Sequence, residues 1–227
     1  MSSARRGSSS LRRSRPAPTR RIVRVHTEGT RTEPEYLARL LDLNDRPVVL
    51  QIDPRHGVPA TLVANAIATK QRNQAEARRG RDELIDEHWC IFDHDEHPGL
   101  DEALSTAVAN GINVVTSNPC FELWLVLHYI DHRRHVHRHA IQKLAQQHLP
   151  GLARDPKGIS LEQATALSDA LATATSRAKG LDAMHKRNSS PLRSNPSTDA
   201  WRLVERVTAT QPSGPTKFIE QAPPVSG

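Results

Sequence analysis

Apolar positions along this chain follow two rhythms in alternation. Ile22, Val23 and Val25 crowd the run Arg21 to His26, which predicts a first strand. Tyr36, Leu37, Leu40 and Leu41 then recur at helical spacing behind Glu33-Pro34-Glu35, residues that a helix N-terminus favours. "PVVLQID", Pro47 to Asp53, predicts a second strand. Leu62, Val63, Ala66 and Ile67 open a helix that turns polar through "KQRNQAEARRGRD". Trp89 to Phe92 predicts a third strand with Asp93 at its end. Leu100, Ala103, Leu104 and Val108 form a helical stripe that Gly111 closes. Ile112 to Thr116 is a fourth strand, and "SNP" leads into "CFELWLVLHYI", a buried helix.

Strands alternating with helices through short links predict an α/β fold, an open and mostly parallel sheet with helices on both faces. After Asp131 the rhythm is helical throughout. His135 to Leu149, Leu161 to Met184 and Thr198 to Thr208 each carry the pattern, as a C-terminal extension packed on the sheet. The expected organisation is a disordered basic tail over 1–20, an α/β core over 21–131, a helical extension over 132–210 and a flexible C-terminus over 211–227.

Charge sharpens this division. The formal net charge is +6, yet residues 1–24 hold eight arginines and no acid. The other 203 residues hold 23 basic and 25 acidic side chains, a net of −2, so the basicity belongs to the tail. Such a tail is either a solvated leader or a sequence-independent nucleic-acid contact. No apolar run reaches the roughly 20 residues that span a bilayer. Two cysteines, Cys90 and Cys120, are too few for a four-cysteine zinc site, and in apolar surroundings they read as buried thiols. A cytoplasmic location is the simplest expectation.

Open parallel sheets bind ligands beyond the carboxyl ends of their strands. Glu28 follows the first strand, Asp93 and Asp95 follow the third, and Ser117-Asn118-Pro119 follows the fourth. Three carboxylates at strand ends suit a hard divalent cation, Mg²⁺ or Mn²⁺, which takes oxygen ligands and keeps several waters. The plainer alternative is that the two aspartates cap the helix near Gly99. Asn118 reads equally as a helix cap or as a substrate-positioning group. Glu122 needs either a basic partner or a place in the acidic site, because a lone buried acid is costly. Glu33 reads as a first-turn charge or a positioning residue, and His97 as a loop histidine or a proton donor. Gly29 predicts close backbone approach or a positive φ. His128 and His132, four apart, leave a zinc site conceivable without a third ligand. The basic stretch Lys70, Arg72, Arg78, Arg79 and Arg81 reads as a phosphate guide or an ordinary solvated face.

"RIVRVHTEG" with "WCIFDHDEHPGLDEAL" resembles the TOPRIM domain, which carries a glutamate after its first strand and an Asp-x-Asp after its third. Glu28, Asp93 and Asp95 match those positions. "HTEGTRTEPEYL", "FDHDEH", "SNPCFELWLVLHY" and "NPSTDAWRLVERV" together resemble the RloB-like family. "DPKGISLEQ" departs from it where relatives often carry a Tyr-x-Lys run. The resemblance implies a Mg²⁺-dependent nuclease of DNA or RNA, acting in phage defence or abortive infection beside an ABC/AAA-type ATPase. In it Glu28, Asp93 and Asp95 would be catalytic and metal-binding. A non-catalytic docking partner of that ATPase is the alternative. A haloacid-type phosphatase would want Thr or Val where His97 stands, and a sugar-nucleotide transferase more chain before its acid pair. The expectation with most consequence is spatial: Glu28, Asp93 and Asp95 must meet.

Overall fold

A computed structural model describes residues 20–43, 48–94, 99–152 and 158–208. The basic tail up to residue 19, Asp95, His97 and the C-terminus from 209 lie outside the described residues. Among the described residues five strands form one mixed sheet in the order β2-β1-β3-β4-β5. They are β1 (Arg21–Thr27), β2 (Val48–Ile52), β3 (Glu87–Asp93), β4 (Asn113–Asn118) and β5 (Ser197–Thr198). The first four are mutually parallel, and β5 runs antiparallel against β4. Among the described residues there are eight helices: α1 (Thr32–Asp42), α2 (Pro59–Arg78), α3 (Leu100–Ala109), α4 (Glu122–Tyr129), α5 (Arg138–His148), α6 (Leu161–Asp169), α7 (Leu171–Arg187) and α8 (Ala200–Thr208). Among the described residues no helix is long and apolar enough to cross a membrane.

Side chains alternate across each strand, so the sheet has two faces, each covered. Val23, Val25, Trp89, Ile91 and Val115 point to one face, where they join Tyr36 and Leu37 of α1, most of α4, and residues of α5 to α8. Cys90 and Phe92 point to the other, where Leu62, Val63 and Ala66 of α2 and Leu100, Ala103 and Ala107 of α3 close over them. Apolar burial on both sides is what a parallel sheet needs. Nearly the whole of α4 is buried, Leu123 to Leu127 without exposure, which is why its sequence shows no polar stripe.

The helical half is built into the core rather than laid beside it. Its polypeptide returns to supply β5: Thr198 pairs with Ser117, and Ser197 with Asn118. That pairing extends β4 two residues past the expected Thr116, because Ser117 and Asn118 gain a ladder partner. The helix expected from Thr198 begins instead at Ala200, and the single helix expected over 161–184 breaks at Ala170 into α6 and α7. The helix expected from His135 begins at Arg138.

Three histidines among the described residues are held inside. His128 is 5% exposed, donates from Nδ1 to the Trp124 carbonyl at 2.9 Å and lies 3.4 Å from the Tyr36 hydroxyl through Nε2. It is thus a packing residue between α1 and α4, and the zinc site conceivable from His128 and His132 finds no support among the described residues. His26 and His88 are buried under α2. Burial lowers each of the three from 6.5 to about 4. A depressed histidine pKa means that the unfolded chain binds more protons between the two values, so these contributions to stability are lost as pH falls from 6.5 to 4. Unfolding free energies from urea titrations between pH 7 and pH 4.5 should fall more steeply for the native chain than for His128→Gln. The difference in slope should be at most about 1.4 kcal/mol per pH unit. Equal slopes would show that His128 is not held neutral.

Candidate functional site

In the order β2-β1-β3, the chain leaves β1 toward one side and returns with β3 on the other. The crevice at the carboxyl ends of β1 and β3 is therefore the topological switch point, where open α/β sheets bind their ligands. β1 ends at Thr27, so Glu28 emerges there. β3 ends at Asp93, in register two residues past Thr27's partner Ile91.

The turn after β1 is pinned at each step. Glu28 donates its amide to the Ile91 carbonyl at 3.0 Å, continuing the ladder by one residue. The Thr27 hydroxyl donates to the Gly29 carbonyl at 2.8 Å, and the Gly29 amide donates to Glu33 Oε1 at 3.1 Å. Those bonds bring the Glu33 carboxylate against the Gly29 backbone so closely that a Cβ there would stand 2.2 Å from Glu33 Oε2. The glycine beside Glu28 thus leaves room for a close approach, and the approaching group is the carboxylate of an acid four residues on.

The Glu28 carboxylate accepts the Asp93 amide at 3.2 Å, 65 residues away in sequence. Asp93, 6% exposed, accepts the Phe121 amide on Oδ1 at 2.9 Å and pairs through Oδ2 with Arg138 at the start of α5. Glu122 accepts from the Thr32 hydroxyl at 3.4 Å. Burial, and then the neighbouring Glu33, push the Asp93 carboxyl from 3.8 up to about 8; Glu122 and Glu28 add to the rise and Arg138 opposes it. Burial likewise raises Glu33, with Glu122 and Glu28 contributing. Four carboxyl groups thus share one partly dehydrated pocket with Arg138.

Of the residues singled out from sequence, Glu28, Glu33, Asp93 and Glu122 meet here. Asp95 and His97 lie outside the described residues. Glu122 takes the second of its two expected places, facing the acids. Asn118 is not a helix cap. It ends β4, and its Nδ2 lies 3.2 Å from His94 Nδ1 and donates to the Arg193 carbonyl at 2.8 Å. Sequence reasoning missed Arg138, which sits in "HRRHVHRH", where nothing separates it from Arg133 or Arg134. The basic stretch near 70–81 behaves as a solvated face: Arg79 and Arg81 pair with Glu76, and Lys70 donates to the carbonyls of Asn110 and Gly111 behind α3.

A protein-family model described as RloB-like protein matches residues 23–207. No curated protein and no solved structure matches the chain. The matched span includes every residue of the pocket just described.

Two outcomes follow from the geometry. Gly29→Ala should displace the Glu33 carboxylate and destabilise the fold by about 1–3 kcal/mol, the usual range for overpacking. In a Glu33→Ala background the same change should cost under about 0.5 kcal/mol, as read by denaturant titration of all four proteins. Asp93 has a folded pKa raised above its unfolded value. The folded state therefore holds the extra proton between pH 4 and 8, and stability falls as pH rises through that window. Asp93→Asn should flatten that fall, and an unchanged profile would contradict the burial.

Proposed function

The chain belongs to the RloB-like family, and from that premise we propose that it is a divalent-metal-dependent nuclease with a TOPRIM-like core. It hydrolyses phosphodiester bonds at the Glu28–Asp93 pocket and serves as an effector in phage defence. The observation that carries this reading is the meeting of Glu28 and Asp93 at the switch point, each at the end of its own strand.

The donor set suits magnesium. It consists of carboxylate oxygens, the hard ligands that ion takes near 2.1 Å. A carboxyl pushed up to about 8 among three other acids also marks a pocket short of positive charge. Among the described residues, no group of three metal-ligating side chains stands ready. Glu28 and Asp93 would hold the ion together with Asp95. The ion, when bound, neutralises phosphate charge and makes water easier to deprotonate.

The remaining work falls to the chain's own groups. Arg138 presents a planar fork of donors that suits a non-bridging phosphate oxygen as well as it suits Asp93. Glu33 holds its proton more tightly than an ordinary glutamate, so it is placed to deliver one to the leaving oxygen. Glu122, fixed by Thr32, keeps that proton from being lost by raising Glu33 further. The family resemblance adds an ABC/AAA-type ATPase as partner. One observation favours the non-catalytic reading, a docking partner of that ATPase: both oxygens of Asp93 already have protein partners.

The test is cleavage of end-labelled DNA and RNA, single- and double-stranded, by the purified chain with Mg²⁺ or Mn²⁺. Asp93→Ala should abolish cutting, and Arg138→Ala should slow it by about a hundredfold, the scale of losing one transition-state donor. Cutting that survives Asp93→Ala would refute the assignment. If the isolated chain is silent, the same pair of proteins is assayed with the partner ATPase. Equal activity of the native and Asp93→Ala complexes would establish the docking role instead.

A further inference from the structure

A second cavity, of about 410 Å³, opens at the β5 edge of the sheet between α7, α8 and the loop that joins α7 to β5. Lys186 of α7, Arg202 of α8 and Arg193 of the loop line it, with His185, Asp182 and Asp199. The formal balance is three cationic side chains against two carboxylates. One of the two acids is committed to structure: Asp199 accepts the Thr116 amide and stands beside Arg202 and Arg193. Its effect is to hold arginines at the cavity wall.

Arg193 is the unusual residue. Its φ is 61°, in the left-handed region that a side-chain-bearing residue enters at a cost. Two bonds hold it there. Its carbonyl accepts Asn118 Nδ2 at 2.8 Å, and its Nε donates to the Thr116 hydroxyl at 3.2 Å. The terminal nitrogens of its guanidinium make no hydrogen bond among the described residues. The same loop leaves Leu192 61% exposed on the cavity rim, behind Pro191. A strained arginine with free donors and an apolar rim make a surface complementary to a phosphate and the flat face of a base.

Position ties the cavity to the acid pocket. Asn118 touches His94, the residue after Asp93, on one side and Arg193 on the other. β5 is two strand spacings from β3, about 10 Å. A polynucleotide whose phosphate lay at Asp93 would reach this cavity by passing over Asn118. We propose that the cavity is a second nucleotide subsite: Lys186, Arg193 and Arg202 bind a phosphate and the Pro191–Leu192 rim packs on its base. The occupant is a unit of the strand being cut, so the proposal rests on the nuclease reading for its placement, and its chemistry is that of a nucleotide phosphate in either case.

Binding rather than cleavage tests it, so that failure of catalysis and failure of the subsite are read separately. A fluorescein-labelled 12-mer single strand is titrated with the full chain in EDTA, by anisotropy, at several salt concentrations. The variants are Arg193→Gly, which relieves the backbone while removing the guanidinium, Lys186→Ala, and both together. The double variant should bind about tenfold or more weakly. The slope of log affinity against log salt should fall by about 0.7, the contribution of the one phosphate this subsite neutralises on a single strand. AMP forms the second arm. If AMP binds the native chain, displaces the 12-mer and fails to bind the double variant, the site stands with a free nucleotide as its occupant. Unchanged affinity and slope in the double variant would overturn the proposal, as would failure of the native chain to bind either probe. Should Arg193→Gly not fold by circular dichroism, Lys186→Glu on the exposed face of α7 carries the same prediction with a larger loss. A chain that cuts nothing, alone and with the partner ATPase, yet shows these losses would keep the subsite and refute the nuclease.

Discussion

Carboxyl groups crowded into a dehydrated crevice repel one another, and the arrangement at the ends of β1 and β3 is organised around that repulsion. Burial alone disfavours the charged form of Asp93, and Glu33, Glu122 and Glu28 add to it. The protein offsets the cost with directed donors. Asp93 takes the Phe121 amide and Arg138, Glu33 takes the Gly29 amide, Glu122 takes the Thr32 hydroxyl, and Glu28 takes the Asp93 amide. These donors satisfy hydrogen bonding, but only Arg138 brings a compensating charge among those bonds. A fold concerned with stability alone would not gather four acids here. Their retention beside one another is intelligible if a cation and a phosphate are to meet between them.

The helical half takes its meaning from the same constraint. Arg138 begins α5 and reaches back to Asp93, so the first helix of that half completes the pocket's electrostatics. Further along, the chain returns to pair β5 with β4, and Arg206 of α8 binds Glu87 at the start of β3 at 2.7 Å. The loop before β5 carries Arg193 to Asn118. Core and extension thus share one apolar cluster and one polar seam, in which Asn118 joins the acid pocket to the cavity at the β5 edge.

How far the sequence displayed this depends on which forces were local. The four parallel strands and their crossover helices were legible, because burial on both faces writes continuous apolar runs such as "WCIF" and "INVV". Glu28 and Asp93 were legible as strand-end acids, since the strand rhythm stops at each. β5 was not. It is two residues long, its identity comes from its pairing with Ser117 and Asn118, and no hydrophobic alternation fits in "ST". The break at Ala170 was equally silent, for Ala164, Leu167, Ala174, Ala178 and Leu181 keep one helical stripe across it. Arg138 was hidden among like residues, and only the approach of α5 to β3 selects it. The reason for Gly29 could be guessed as close approach, but that Glu33 is the approaching group emerges only from the folded turn.

The central claim is that the acid pocket is built to receive a divalent cation, and binding tests it without any appeal to turnover. Mn²⁺ titrated into the metal-free chain, with the free ion followed by electron paramagnetic resonance, should reveal one site per chain. Asp93→Asn or Glu28→Gln should weaken that site by about tenfold or more, the loss of one carboxylate ligand being worth at least 1.4 kcal/mol on this scale. A native chain that leaves the Mn²⁺ signal undiminished, or variants that bind as tightly as the native chain, would contradict the account.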